Sequence, residues 1–148
     1  MALMAKLPRR LTNGRGFTLA EMLVAVGIFG ILSATAAPYL FAMKTRFRLD
    51  GATRQVFSEI MSARMKAINE NATYTITFPN NHTIQIVGSA TRTVDLQTLY
   101  ESVTLSSSAA TINISSRGTS DTASTITVSN STGSKTVTLK ITGSALIS

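Results

Sequence analysis

The hydrophobic pattern of the chain has three parts, and the first is an uninterrupted apolar stretch. Residues 17–43 read FTLAEMLVAVGIFGILSATAAPYLFAM and carry a single side chain that is charged at neutral pH, that of Glu21. A helix of about 27 residues, rising roughly 1.5 Å per residue, is about 40 Å long, which exceeds the roughly 30 Å of a hydrocarbon core. The stretch predicts a membrane-spanning helix.

The second part has the period of an amphipathic helix. Apolar residues recur at intervals of three and four along residues 49–68, and polar residues such as Arg54 and Ser58 occupy the opposite side. The apolar stripe consists of Leu49, Ala52, Val56, Ile60, Ala63 and Ala67, and it is widened by Phe57, Met61 and Ile68. Asn69, Asn71 and the strand-like residues after them predict that this helix ends near Glu70. A basic amphipathic helix can lie on a membrane surface. We favour the interpretation that this helix packs against the rest of the chain, because the residues that follow it need a helix to complete their core.

Period-two alternation begins at Thr73 and predicts strands. The segments are residues 74–78, 84–86, 93–96, 99–105, 111–114, 125–128 and 136–141. Loops rich in Ser, Thr, Asn and Gly separate them, with Gly118 and Gly133 as turn markers, and His82 is expected in the turn of a hairpin. Strands with one face exposed to solvent are typical of antiparallel sheets. Because residues 71–148 are few for an independent core, the helical stripe is expected to pack on the sheet, which predicts an α+β head.

Composition excludes several kinds of chemistry. The 148 residues contain no cysteine and one histidine, so disulfides, thiolate metal sites and histidine clusters are excluded. The carboxylates are scattered, without a histidine or second carboxylate spaced for acid–base work. The sequence therefore predicts no enzyme, no catalytic residue, no metal site and no cofactor.

The charge is concentrated at the N-terminus. Four of the fourteen cations lie in residues 1–16, so a chain beginning at Phe17 keeps ten cations against seven carboxylates, a net charge of +3. A basic start before an apolar segment suits either a membrane anchor or a secretory signal cut after Ala36, which would release a soluble periplasmic protein. The length of the segment and its carboxylate favour the anchor. The positive-inside rule places the N-terminus in the cytoplasm, although three cations within residues 44–48 weaken that bias.

Glu21 requires an explanation of its own. A carboxylate at mid-membrane costs on the order of 2–3 kcal/mol, so an acid in an apolar span is by default a functional residue. A new α-amino group at Phe17 would supply the missing positive charge. The alternative is that Glu21 lies near the interface and reaches water.

Residues 16–38, GFTLAEMLVAVGIFGILSATAAP, resemble the processing and assembly segment of type IV pilins and type II secretion pseudopilins. The resemblance implies that a prepilin peptidase cuts after Gly16 and methylates the amine of Phe17. It also implies that Glu21 pairs with the Phe17 amine of a neighbouring subunit. Pro38 is expected to kink the helix, and by resemblance the helix unwinds between Gly30 and Pro38 in the filament.

The order of one long helix followed by strands, without cysteines, is similar to the minor pseudopilin H group. The glycines at positions 118 and 143 follow that group's pattern. The expected organisation is a cleaved leader at 1–16, a transmembrane and assembly helix at 17–43, its amphipathic continuation at 44–70 and a β-rich periplasmic head at 71–148. The expected fold is type IV pilin-like: a long N-terminal helix, membrane-spanning in its first half, packed on an antiparallel β-sheet head.

The resemblance implies a structural subunit, a minor pilin or pseudopilin, of a type IV pilus or a type II secretion pseudopilus. Its implied partners are other pilin subunits, the prepilin peptidase, the inner-membrane assembly platform and the inner membrane itself. The implied location is the bacterial inner membrane, as a single-pass protein with a cytoplasmic N-terminus and a periplasmic head, and then the filament. Alternatives are a major pilin and a competence minor pilin that captures DNA. The absence of arginine after Gly143 argues against DNA binding.

Overall fold

The computed structural model of the chain describes residues 17–148, except for the side chain of residue 42. These residues fall into two compact units that divide between Pro38 and Tyr39. One helix, α1 (Leu19–Asn69, 51 residues), contributes to both units.

The first unit consists of the N-terminal part of α1. Its large apolar side chains are exposed, and its residues are apolar enough to cross a membrane. Pro38 lies inside the helix, whose assignment is unbroken. Because proline lacks an amide hydrogen, the carbonyl of Ala34 loses its usual intrahelical donor. Unwinding of this stretch within a filament remains a prediction.

The second unit begins with the remainder of α1, which ends at Asn69, close to the predicted end. Asn71 follows with a φ of 48°, and the amide of Ala72 donates to the carbonyl of Ala67 at 3.1 Å. A left-handed Asn after the last turn is a common way to end a helix, because the turn satisfies carbonyls that have no partner within it.

Eight strands and one short helix follow α1. Their bounds are β1 (Tyr74–Asn80), β2 (Thr83–Val87), β3 (Thr91–Asp95), α2 (Leu96–Leu99), β4 (Thr104–Ser107), β5 (Thr111–Ile114), β6 (Ser124–Asn130), β7 (Gly133–Leu139) and β8 (Ala145–Ile147). They form two four-stranded sheets with the orders β3-β2-β1-β5 and β4-β6-β7-β8, and every pairing is antiparallel.

The core lies between the helix and the two sheets. Six apolar residues of α1 are buried, and they are the predicted stripe: Leu49, Ala52, Val56, Ile60, Ala63 and Ala67. They pack with alternate residues of the strands, such as Ile76, Ile112 and Ile126. The structure confirms the predicted α+β architecture and the packing of the stripe on the sheets.

One predicted strand is wrong. The alternation of apolar residues predicts a single strand over residues 99–105, but the chain forms α2 first and β4 starts only at Thr104. The carboxylate of Asp95 accepts from the amide of Gln97 at 2.8 Å and caps α2. Ser102, with a φ of 64°, then turns the chain away from an extended course. A local side-chain hydrogen bond therefore overrides the alternation of apolar residues.

Candidate functional site

The first turn of α1 is held by a reciprocal pair of hydrogen bonds. The amide of Glu21 donates to Oγ1 of Thr18 at 3.2 Å, and the amide of Thr18 donates to Oε2 of Glu21 at 3.4 Å. This arrangement is a capping box, in which each side chain satisfies an amide that the helix leaves without a partner. A carboxylate in the first turn also interacts favourably with the positive end of the helix dipole. Glu21 is therefore fixed at the start of the helix by the chain itself.

The predicted site residues lie around this capping box and farther along the first unit. Phe17 is 81% exposed and is separated from Glu21 by one turn, while Gly16 lies outside the described residues. Gly30 is inside the helix, and a side chain placed there would meet nothing within 4 Å. Packing within the chain therefore does not require a glycine at this position. Intersubunit pairing and unwinding at Gly30 and Pro38 stay predictions.

Sequence reasoning missed the capping box, although its signal was present. A Thr followed three residues later by Glu, immediately before an apolar run, is the sequence signature of this motif. Glu21 thus has a local structural role in addition to the intermolecular one expected of it. The two roles are compatible, because an ionised carboxylate can accept about four hydrogen bonds.

In the second unit, three contacts join the β-rich head to residues 45–50 of α1. The side-chain amide of Asn130 donates to the carbonyl of Thr45 at 2.9 Å. Lys135 pairs with Asp50 at 2.7 Å. The guanidinium of Arg48 pairs with Glu101. These contacts fix which end of the head lies beside residues 45–50 of α1.

A buried acid lies farther along the same helix. Glu59, with a side chain 5% exposed, accepts from Nε and Nη2 of Arg92 on β3, both at 2.9 Å. Gln55 donates to the same carboxylate at 2.8 Å. The hydrogen bond to Glu59 and its negative charge raise the pKa of Arg92 above its ordinary value. A buried carboxylate with a forked partner is fully satisfied, and this pair joins the helix to an edge strand.

Gly118 and Gly143, which suggested the pseudopilin H group, are in direct contact. Both have left-handed backbones, with φ values of 76° and 77°. A Cβ atom on Gly143 would lie 1.8 Å from the carbonyl oxygen of Gly118. That carbonyl accepts from Nε of Arg64 on α1 at 2.9 Å. The glycines allow two loops to meet at the helix.

Comparison with known proteins gives two family matches. The family described as Type II transport protein GspH matches residues 52–145, and the Prokaryotic N-terminal methylation motif matches residues 11–37. The first match covers more than half of the chain. The chain therefore belongs to the GspH family, within the type IV pilin and pseudopilin proteins, and the expected resemblance is confirmed.

A relative and two solved structures add detail. The chain is 41% identical over 58 residues to "Pilin-like protein PilA1" of Thermus thermophilus, which covers 39% of this chain and 36% of that protein. The match thus spans little more than a third of the relative's length. Two crystal structures of the type IV minor pilin FimU of Pseudomonas aeruginosa match the fold. The first has a TM-score of 0.60 at 15% identity and covers 70% of this chain and 90% of FimU. The second has a TM-score of 0.56 at 14% identity and covers 68% of this chain and 92% of FimU. At these identities the likeness establishes the fold.

Proposed function

We propose that the chain is a structural subunit, a minor pilin or pseudopilin, that assembles through the N-terminal part of α1 into a membrane-anchored filament. One observation carries the proposal: a lone carboxylate, Glu21, lies at the start of an apolar helix whose large side chains are all exposed in the first unit. A surface of that kind needs lipid or other helices to cover it. The match to the methylation motif over residues 11–37 and the pilin-like relative support the same conclusion.

The first step of this function is processing. A prepilin peptidase cuts between Gly16 and Phe17 and methylates the new amine. Cleavage removes the four leader cations and leaves the apolar helix in the membrane. It also creates a positive charge one helical turn from Glu21.

The second step is assembly. The amine of Phe17 on one subunit pairs with Glu21 of a neighbour, so that two charges that are costly in lipid are neutralised together. Burial of both groups makes correct alignment of the subunits much more favourable than a shifted register. The GspH family and the FimU-like fold support a role as a minor subunit beside other pilin or pseudopilin subunits.

The proposed location follows from the same helix. The subunit starts in the bacterial inner membrane with a cytoplasmic N-terminus and a periplasmic head, and it enters the filament through the inner-membrane assembly platform. The apolar composition of α1 supports a single span.

N-terminal mass spectrometry of the protein from its own cells tests the proposal. The expected mature chain begins with methylated Phe17, and a Gly16→Leu variant is expected to keep its leader. A chain that begins at Ala37 would overturn the proposal, because it would lack Glu21. Copy number in purified filaments then separates a minor from a major subunit.

A further inference from the structure

The stretch of α1 that opens the second unit is unusually rich in exposed aromatic rings. Tyr39, Phe41 and Phe47 are between 64% and 72% exposed, and Leu40 is 61% exposed. None of these side chains belongs to the core, which begins at Leu49. The expected span ends at Met43, so Tyr39 and Phe41 lie in its last two turns. The headgroup region adds about 5–7 Å on each side of the hydrocarbon core, which is the length of three to five helical residues. Residues 44–48 therefore follow the span at the level of the lipid headgroups.

Two cations of this stretch have no acidic partner. Lys44 and Arg46 are exposed, and neither forms an ion pair with any group in residues 17–148. The neighbouring Arg48, in contrast, is paired with Glu101. Removing the unpaired cations therefore leaves the ion pairs of the head intact.

The head holds a turn against this stretch. The bond from Asn130 to the carbonyl of Thr45 fixes the β6–β7 turn, and Thr132 lines a surface depression together with Arg46. The opposite end of β6, at Ser124, lies six residues away, about 20 Å along the strand. The head thus has one end beside the cations and another end remote from them.

A second copy of the chain is a poor complement for these cations. Six of the seven carboxylates belong to the second unit, and each of them accepts a hydrogen bond or ion pair from its own chain. The seventh, Glu21, lies in the first unit and pairs with the Phe17 amine of a neighbour in the proposed assembly. From Phe17 onward the chain has ten cations against seven carboxylates, so two copies also repel each other. Anionic phospholipid offers phosphate groups at the depth where the cations lie. Aromatic rings and lysine or arginine side chains are the residues that anchor proteins at this interface.

We infer that residues 39–48, together with the turn at residues 131–132, form a docking site for anionic phospholipid headgroups, which holds the head against the membrane surface before assembly. Lys44 and Arg46 bind the phosphates, Tyr39 and Phe41 lie among the upper acyl chains, and Phe47 lies at the level of the headgroups. The inference rests on the membrane anchoring in the proposed function. It requires neither cleavage at Gly16 nor the presence of a filament.

The test uses the full chain, one copy per lipid nanodisc. Because the chain has no cysteine, a single Thr132→Cys substitution carries a fluorophore beside the site, and Ala123→Cys carries it at the remote end of β6. Nitroxide-labelled headgroups report proximity to the membrane by quenching. Discs contain phosphatidylcholine alone or a mixture with phosphatidylglycerol.

The label at residue 132 is expected to be quenched more strongly in phosphatidylglycerol discs, and the label at residue 123 to be unaffected. Lys44→Gln with Arg46→Gln is expected to lower the ratio of docked to undocked heads by roughly 5-fold for each cation. Arg54→Gln with Lys66→Gln removes the same charge from exposed positions farther along α1 and is expected to change nothing.

Three outcomes would overturn the inference. Quenching could be equal in both lipids, the control pair could have the same effect as Lys44 and Arg46, or quenching could require two chains per disc. The last would assign the surface to a second copy. Failure of the proposed function is recorded separately, by the N-terminus of the mature chain, so the two results are distinguishable.

Discussion

Arg92 and Glu59 form a forked ion pair across the edge of the first sheet: Nε and Nη2 of the arginine donate to the two carboxylate oxygens, both at 2.9 Å. The side chain of Glu59 is 5% exposed, whereas that of Arg92 is 57% exposed. The acid therefore depends on the arginine more than the arginine depends on the acid.

Arg92→Ala is expected to lower the free energy of unfolding by more than the loss of an exposed ion pair does, because it leaves a buried carboxylate with Gln55 as its remaining side-chain donor. Urea unfolding of the fragment Tyr39–Ser148, which contains every core residue, measures the change. Lys135→Ala is the matched control: it breaks an ion pair whose two side chains are each 42% exposed, and it is expected to cost less than about 1 kcal/mol.

A second substitution separates loss of the pair from loss of packing. Replacing Glu59 by Met in the Arg92→Ala background removes the unpaired acid and is expected to recover part of the stability. If Arg92→Ala costs no more than Lys135→Ala, the buried pair does not support the head.

The sequence predicts the helix and its apolar stripe, but it does not predict the ion pair between Glu59 and Arg92. The positions of Val56 and Ile60 follow from helical periodicity, a local property, and they are buried as predicted. Glu59 is separated from Arg92 by 33 residues, and their contact depends on the register of β3 against β2 and on the packing of the sheet on α1. Neither relation can be derived from spacing along one chain, so the sequence alone does not distinguish Glu59 from the other scattered acids.

In the assembly segment, residues 16–38, the functional residues can be predicted from the sequence. Glu21 and Phe17 were recognised because their signal is contiguous in sequence, and Thr18, in the same segment, could have been recognised by its spacing. In the head, the contact between Gly118 and Gly143 joins loops 25 residues apart, and the sequence gives only the two glycines. Contiguous motifs were therefore predictable, and contacts between loops were not.

The contact between these glycines predicts an order of effects. Alanine is strained at both positions, because both have a left-handed φ. Gly143→Ala is expected to cost more than about 2 kcal/mol, because its Cβ also meets a backbone carbonyl that cannot move aside. Gly118→Ala is expected to cost less: its Cβ would meet the end of the Ile68 side chain, 2.6 Å away, and that side chain can move. Thermal unfolding of the fragment measures both, with the exposed Ser144→Ala as a control near zero. Equal costs at the two glycines would contradict the close contact of the loops.

Low pH is expected to lower the stability of the head by protonating Asp121. The backbone amide of Asn113 donates to its carboxylate at 3.0 Å and the side-chain amide at 2.8 Å. These bonds hold the pKa of Asp121 below its ordinary value, the backbone bond having the larger effect. Since the folded state favours the ionised form, the stabilisation is present above the unfolded pKa of about 3.9 and is lost as the pH falls through the folded value.

The measurement compares Asp121→Asn with the parent fragment at neutral pH and at about pH 2. The variant is expected to be less stable at neutral pH, and most of the difference is expected to disappear in acid. Thr119→Ala removes a hydroxyl that lies 2.7 Å from Oγ of Ser115, a bond that does not titrate, so its cost is expected to be the same at both values. A cost of Asp121→Asn that does not depend on pH would contradict this role for the carboxylate.

The two roles of Glu21 can be separated by three substitutions in the full chain. Glu21→Gln keeps a side chain that can complete the capping box but removes the charge, whereas Thr18→Ala removes the cap and keeps the charge. Glu21→Ala removes both. If the carboxylate pairs with the Phe17 amine of a neighbour, loss of about 2 kcal/mol of pairing in an apolar environment lowers incorporation by more than about tenfold.

Both Glu21 variants are therefore expected to be nearly absent from sheared filaments, while Thr18→Ala, which weakens only the first turn of an otherwise long helix, is expected to assemble close to normally. Immunoblots of the filament fraction against whole cells measure incorporation. Mass spectrometry of each variant must find methylated Phe17, so that a defect in cleavage is not read as a defect in assembly. If Thr18→Ala fails as Glu21→Ala does while Glu21→Gln assembles, the carboxylate acts as a helix cap and the intersubunit pairing is wrong.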